Sequence, residues 1–228
     1  MATTAFGAPP KFATLEDVLE RVGHVPASRI LLHPTPGTAT EADLVDRKIV
    51  GVRVCELVEG ILVEKPMGYR EDSIGAWMIY LLQHFLVTHN LGAVAGAQGP
   101  IKLKLDVIRL PDVSFIRWDS VDDSDTIEDP DGPTLEAVPD LVIEVLSPSN
   151  TKAEMAIKLD EYAKAGVALV WYVDPKRSEV TVYPNGLVKG RKVVGVDGTL
   201  DGGTILPGFT LPVATIFAKR APGKKGPR

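Results

Sequence analysis

The segment from Pro139 to Asp174 constrains the fold most, because it reads as strand, helix and strand in direct succession. Residues 140–146 (DLVIEVL) and 167–174 (VALVWYVD) are apolar runs rich in β-branched and aromatic residues. Between them Ser147-Pro-Ser-Asn leads into a helix expected from about Lys152 to Ala165 and closed by Gly166. A unit of this kind calls for an α/β fold in which a mixed sheet is flanked by helices.

Side chains alternate along a strand, so Asp140, Val142 and Glu144 share one face while Leu141, Ile143 and Val145 take the other. Glu144 therefore lies within apolar sequence, where an isolated carboxylate is costly and needs an ion pair, hydrogen bonds or a bound cation. A second acid, Asp112, stands at the mouth of a strand in PDVSF. Asp140 lies roughly 13 Å from Glu144 along one strand and makes a poor co-ligand, whereas adjacent strands run about 4.8 Å apart and bring Asp112 within reach of the same cation. Asp112 also reads as a residue that caps or ends its strand. In the helix, Glu154, Lys158 and Tyr162 recur every four residues on one face, from which Lys158 can face the strand end. The same spacing fits a solvent-side ion pair, and Tyr162 fits core packing, so spacing alone leaves these roles open.

The other segments surround this unit. TLEDVLERV at 14–22 reads as a short amphipathic helix capped by Thr14, followed by an irregular stretch to about residue 50. VRVCELVEGILVEK at 52–65 reads as a hairpin about Glu59-Gly60. Apolar residues at Ile74, Trp77, Met78, Leu81, Leu82 and Phe85 mark the longest helix, between Arg70 and Asn90. Strands are expected at 101–108 and 112–117, a polar loop from about Asp119 to Pro139, and peripheral antiparallel strands in EVTVY, RKVVGV and DGGTILPGFTLP covering one sheet edge. The domain reading is a single domain over residues 1–217, with 1–50 as an N-terminal extension and 218–228 as a tail carrying Lys219, Arg220, Lys224, Lys225 and Arg228.

A net charge of −5 argues against nucleic acid held on a broad basic surface, although carboxylate-bound divalent ions reverse the local field. The start lacks a secretory pattern, no stretch reaches the ~18 apolar residues of a membrane span, and lone Cys55 has no internal disulfide partner, so a cytoplasmic location is expected. The four histidines lack zinc-ligand spacing, and phosphate-loop, dinucleotide and G-x-S-x-G signatures are absent from the sequence.

Several stretches together resemble the Uma-two family of restriction endonucleases, part of the PD-(D/E)XK superfamily. They are CELVEGILVEKPMG at 55–68, LPDVSFI, PDLVIEVLSPSN, EMAIKLDEYAKAGVALVWYVDP, VTVY and TLDGGTILPGF, covering most of residues 14–217. The resemblance implies a restriction-endonuclease-like fold, Asp112 as the motif aspartate, Glu144 as the following glutamate, and a bound Mg2+ or Mn2+. The superfamily pattern has lysine two residues after the glutamate; this chain has Leu146 there, and Lys158 would substitute from the helix. A further acid from the long helix would be Glu71, with Asp72 beside it, unless both are ordinary first-turn acids. Glu154 shares the Lys158 face and Asp140 the Glu144 face, while Ser147 and Asn150 read either as hydrogen-bonding support for the site or as helix caps. The expected activity is a metal-dependent endonuclease acting on DNA, with an inert protein on the same fold or a small-phosphoester hydrolase as the alternatives. Pairing of the hairpin or the terminal strands across a two-fold axis would make a homodimer.

Overall fold

The computed structural model describes residues 11–66, 68–104, 106–122, 127 and 132–218. Helix α1 (Leu15–Arg21) begins with a reciprocal cap, in which Thr14 Oγ1 accepts the Asp17 amide at 3.2 Å and Asp17 accepts the Thr14 amide at 2.8 Å. Its Val18, with Val22 and Val25, packs on Val58, Ile61 and Val63 of the hairpin formed by β1 (Cys55–Val58) and β2 (Ile61–Glu64). Glu59 and Gly60 turn that hairpin at φ 50 and 80, the two successive positive values that match strand twist. A Cβ on Gly60 would lie 2.5 Å from the Gly37 backbone, so only glycine fits. The stretch before the hairpin holds more structure than its sequence signals. Short helices α2 (Glu41–Val45) and α3 (Arg47–Val50) bury Leu44 and Val50 against Leu57, Leu62 and Ile108 on the other side of the hairpin.

The run at 101–108 is two strands rather than one. β4 (Ile101–Lys104) and β5 (Val107–Arg109) pair antiparallel with a register shift between Lys102 and Lys104, and complete a four-stranded sheet in the order β2-β1-β5-β4. The larger sheet contains β3 (Gly92–Gly96), β6 (Val113–Arg117), β7 (Leu141–Val145), β8 (Leu169–Asp174), β9 (Glu179–Pro184) and β10 (Lys192–Val194), in the order β10-β9-β8-β7-β6-β3. β3 carries no strand signal in its GAVAG sequence and owes its conformation to pairing with β6 along all five residues.

Helix α4 (Tyr69–Leu86) covers one face of the larger sheet, packing Ile74, Met78 and Leu82 with Val113, Phe115, Leu141, Ile143 and Val145. Helix α5 (Lys152–Ala165) joins the parallel pair β7 and β8 and covers the other face, packing Met155, Leu159 and Tyr162 with Val142, Val170 and Tyr172. The alternation expected in β7 thus holds. β9 and β10 extend one edge of this sheet as anticipated, but β11 (Thr199–Asp201) and β12 (Thr210–Pro212) form a separate ribbon. With helix α6 (Val213–Phe217) the ribbon adds Leu200, Leu211 and Val213 to the core under α4. Residues 123–126 and 128–131 of the expected loop, and the basic residues from Lys219 onward, lie outside the described residues. No described helix is long and apolar enough to cross a membrane.

Candidate active site

Asp112 immediately precedes β6, and the partner pair Val113↔Ile143 sets it across from Glu144 on the neighbouring strand. Its Oδ2 accepts the Val145 amide at 2.6 Å, while Oδ1 meets Lys65 Nζ at 2.7 Å. Asp112 thus fastens β6 to β7 with one oxygen and carries a cation on the other. It also lines a cavity of about 320 Å3 together with Lys65, Glu71, Asp72 and Gln98.

Glu144 is only 4% exposed. Tyr162 donates its hydroxyl to Oε1 at 2.6 Å and Lys158 donates to the same oxygen at 3.2 Å. Both donors converge on Oε1, which leaves Oε2 for a further partner. The helix face defined by the four-residue spacing therefore exists but points inward: Lys158 is 3% exposed and bridges Glu144 to Glu56, 2.8 Å away.

Three residues of this cluster escaped the sequence reading: Glu56, Lys65 and Arg109, the last a charge on the short strand β5. Glu56 lies on β1, where Cys55 and Leu57 pack on one face and Val58 on the other. An acid inside a strand buried on both faces is the signal that singled out Glu144, and it was equally present here. Lys65 follows the hairpin in a segment without periodicity, and nothing in the sequence joins it to Asp112.

Glu56 is locked by Arg109 Nη1 at 2.8 Å and the Leu110 amide at 3.2 Å, and Arg109 spans onward to Glu161 at 2.6 Å. Burial would raise the Glu56 carboxyl, but Lys158, Arg109 and Lys65 outweigh burial and hold it well below the usual range. Burial likewise opposes the charged Lys158, and Glu144 with Glu56 overcomes that and keeps it firmly protonated. Glu144 goes the other way. Burial raises its pKa, Lys158 and Lys65 oppose the rise, and the nearby charges of Asp112 and Glu56 add to it. Burial and these same two glutamates hold the Tyr162 hydroxyl well above its ordinary value, so it serves as a donor.

The charge balance explains the contrast. Glu56, Glu144, Glu154 and Glu161 are buried with only Arg29, Arg109 and Lys158 as buried cations among the described residues. Arg29 is committed to Glu154 at 2.7 Å, and Arg109 divides itself between Glu56 and Glu161. Among the fully buried groups one carboxylate is in excess; part-buried Arg21 reaches Glu161 at 3.4 Å, and Glu144 is left to share the single ammonium of Lys158 with Glu56.

The other acids and polar residues singled out by sequence take up separate positions. Asp140 accepts the Arg117 amide and the Ser120 hydroxyl, each at 2.8 Å, at the opposite end of β7 from Glu144. Glu154 forms a capping box with Thr151 and pairs with Arg29. Asn150 accepts the Ser147 amide at 2.9 Å and donates to Glu154 at 3.1 Å, so both residues build the lead-in to α5. Glu71 lies in the first turn of α4 on the wall of the Asp112 cavity.

Among the described residues no three His, Cys, Asp or Glu side chains converge into a preformed metal cage. Magnesium does not require one, since it keeps several waters and binds through one or two carboxylates. Two hard oxygen donors beside a buried charge deficit fit such an ion. The ammonium of Lys65 on Asp112 Oδ1 shows that this edge of the site already draws positive charge.

The curated proteins include no match to this sequence. Among solved structures, "a putative nuclease belonging to DUF820" from Anabaena variabilis ATCC 29413 is similar with a TM-score of 0.62 and 18% identity, over 72% of this chain and 90% of that one. The likeness establishes a shared fold, a mixed sheet flanked by helices. The family whose description reads "Uma2: Putative restriction endonuclease" matches residues 53–214, a span that runs from the hairpin through β12 and contains Glu56, Lys65, Asp112, Glu144 and Lys158. With most of its length inside that match, the chain belongs to the Uma2 family.

Proposed function

We propose that this chain is a divalent-metal-dependent endonuclease that hydrolyses phosphodiester bonds in DNA. The observation that carries this reading is the buried carboxylate of Glu144 across from Asp112, which shares its one ammonium with Glu56 and has Oε2 free of donors among the described residues, beside a cavity that Asp112 lines. Asp112 and Glu144 would hold Mg2+ or Mn2+, which when bound lowers the pKa of a water and offsets charge on a phosphate oxygen.

The protein's own groups prepare that site. Tyr162 and Lys158 fix Glu144 through Oε1, and the Val145 amide fixes Asp112 through Oδ2, so both carboxylates are oriented by strand and helix rather than by loops. With Leu146 in the position of the motif lysine, Lys158 brings the ammonium from α5. Lys65 contributes a second ammonium on the cavity wall, placed to offset charge on an entering phosphate. Glu71 and Asp72, on the same wall, are available as further oxygen ligands.

The test is cleavage of plasmid and single-stranded DNA with Mg2+, Mn2+ or chelator, comparing wild type with Glu144→Gln and Asp112→Asn. Cutting that needs the ion and disappears in both variants is the expected result; metal-independent cutting, or none, overturns it. One observation favours a second reading, an inert protein that keeps the acids as a structural network: Lys158, Arg109 and Lys65 already contact all of Glu56, Glu161, Glu144 and Asp112. That reading expects no stabilisation by Mn2+, whereas a bound ion at a hundred times its Kd adds about 2.7 kcal/mol.

A further inference from the structure

A second and larger cavity, about 1110 Å3, runs between the start of α5, the turn joining β8 to β9, and the connection from β9 to β10. Its lining reverses the charge of the molecule as a whole. Arg70, Lys152, Lys176, Arg177 and Arg191 face it against only Glu71 and Asp174, in a chain with 25 basic and 30 acidic residues.

Few of these cations are neutralised. Arg70 donates to the Pro175 carbonyl at 2.7 Å, and exposed Arg177 reaches Glu179 at 3.4 Å. Asp174 gives Oδ1 to the Lys176 and Arg177 amides at 2.8 and 3.0 Å and meets the Arg177 guanidinium with Oδ2 only at 3.8 Å. Lys152, Lys176 and Arg191 are exposed, and no described acidic side chain forms an ion pair with them. Like charges gathered around one groove repel each other unless an extended anion lies between them.

The groove also leads somewhere. Glu71 lines both this cavity and the one that holds Asp112, and Leu146 and Ser147, which follow the Glu144 strand, line its near end. Within the groove Tyr183, half-buried on β9, forms part of the wall. A cationic channel with a partly exposed aromatic side chain in its wall matches how proteins hold a nucleic-acid strand, by phosphate contacts and base stacking.

We infer that this groove is the track of a nucleic-acid strand, its phosphates held by Lys152, Lys176, Arg177 and Arg191 and passed by Arg70 toward the Asp112 cavity. The destination of the strand rests on the nuclease reading; the binding itself does not.

The experiment is fluorescence anisotropy of labelled single-stranded and duplex DNA of about 20 nucleotides. It uses the full chain in chelator so that no cleavage intervenes, at salt from about 50 to 200 mM. Wild type is compared with a triple charge reversal, Lys176→Glu, Arg177→Glu and Arg191→Glu, and with Arg47→Glu, Lys48→Glu on α3 as a control, each checked by thermal melting. The groove variant is expected to bind at least about tenfold more weakly, with its log–log salt slope shallower by about 2 on single strands and about 3 on duplex, as loss of three phosphate contacts requires. The control should bind as wild type does. Equal binding by the groove variant, no binding by wild type, or full competition by millimolar inorganic phosphate at constant ionic strength would each overturn the inference, the last by assigning a small-anion site. Binding that depends on the groove in a protein that never cuts DNA leaves the track standing and removes the nuclease reading. Cutting by a groove variant that binds like wild type does the reverse.

Discussion

Replacing Lys158 by Met probes the centre of the ion cluster at nearly constant side-chain volume. The ammonium touches Glu56 at 2.8 Å and Glu144 at 3.2 Å, and the two acids are unequally provided for without it. Glu56 keeps Arg109 and the Leu110 amide, whereas Glu144 keeps only the Tyr162 hydroxyl. Removing one partner of a buried pair costs about 3–5 kcal/mol when the charge left behind stays ionised. Glu144 has an escape, which is to take up a proton, and this fixes the pH dependence. An acid whose folded pKa is raised contributes stability fully present below its unfolded pKa and lost as pH rises through the folded value. Loss of Lys158 raises that folded value further, so the variant's deficit grows as pH rises. Urea unfolding should show the full loss of about 3–5 kcal/mol at pH 8. At pH 5 the loss should shrink, by about 1.4 kcal/mol for each pH unit over which the freed Glu144 stays protonated. Adding Glu144→Gln to the variant should restore most of the deficit at pH 8. A deficit under about 1 kcal/mol at pH 8 would mean that Lys158 forms no more than a surface-grade pair. A deficit identical at both pH values, or unrelieved by the glutamine, would refute Glu144 as the group in charge excess.

Lys65→Met should tighten Mn2+ binding several-fold by calorimetry, because it removes the ammonium that competes for Asp112 Oδ1; unchanged affinity would mean that ion and lysine occupy different places. Gly23→Ala should loosen the N-terminal segment, since Gly23 has φ +76 and an added Cβ would lie 2.3 Å from the Glu154 amide nitrogen. Faster limited proteolysis ahead of β1 and a lower Tm are expected, and a Tm equal to wild type would contradict the contact.

The strand, helix, strand unit was legible because its periodicities change sharply and its helix carries its own caps, Thr151 and Gly166. Glu144 was legible for a different reason: a charge in an apolar strand breaks the local pattern, and such breaks gather at sites that carry function. β3 was hidden because its small residues have no strand preference and only the partner β6 makes them one. The split of residues 101–108 into β4 and β5 was hidden too, since alternation runs on through a turn that only the register reveals. Sequence spacing brought Lys158 and Tyr162 to one helix face but left their direction undecided. The direction follows from Glu144 and Glu56 waiting on the sheets beneath, a tertiary fact.

The partners that sequence missed share a physical feature. Glu56, Arg109 and Lys65 come from the smaller sheet and the segment just after its hairpin, while Asp112 and Glu144 belong to the larger sheet and its edge, so the cluster exists only where the two sheets meet α5. Each residue alone resembles an ordinary strand charge, and together they leave two buried carboxylates, Glu56 and Glu144, drawing on the one ammonium of Lys158. A chain selected for stability alone has a simpler solution, a glutamine at position 144, which would still accept the Tyr162 hydroxyl without the cost of a buried anion that shares its cation with Glu56. Retaining the acid makes sense where further positive charge is supplied from outside: by a proton when pH is low, and, on the proposed function, by a cation. The basic groove that ends at Glu71 fits the same logic from the other side, since it supplies the charge that would draw a phosphate backbone toward a pocket whose own acids would repel it.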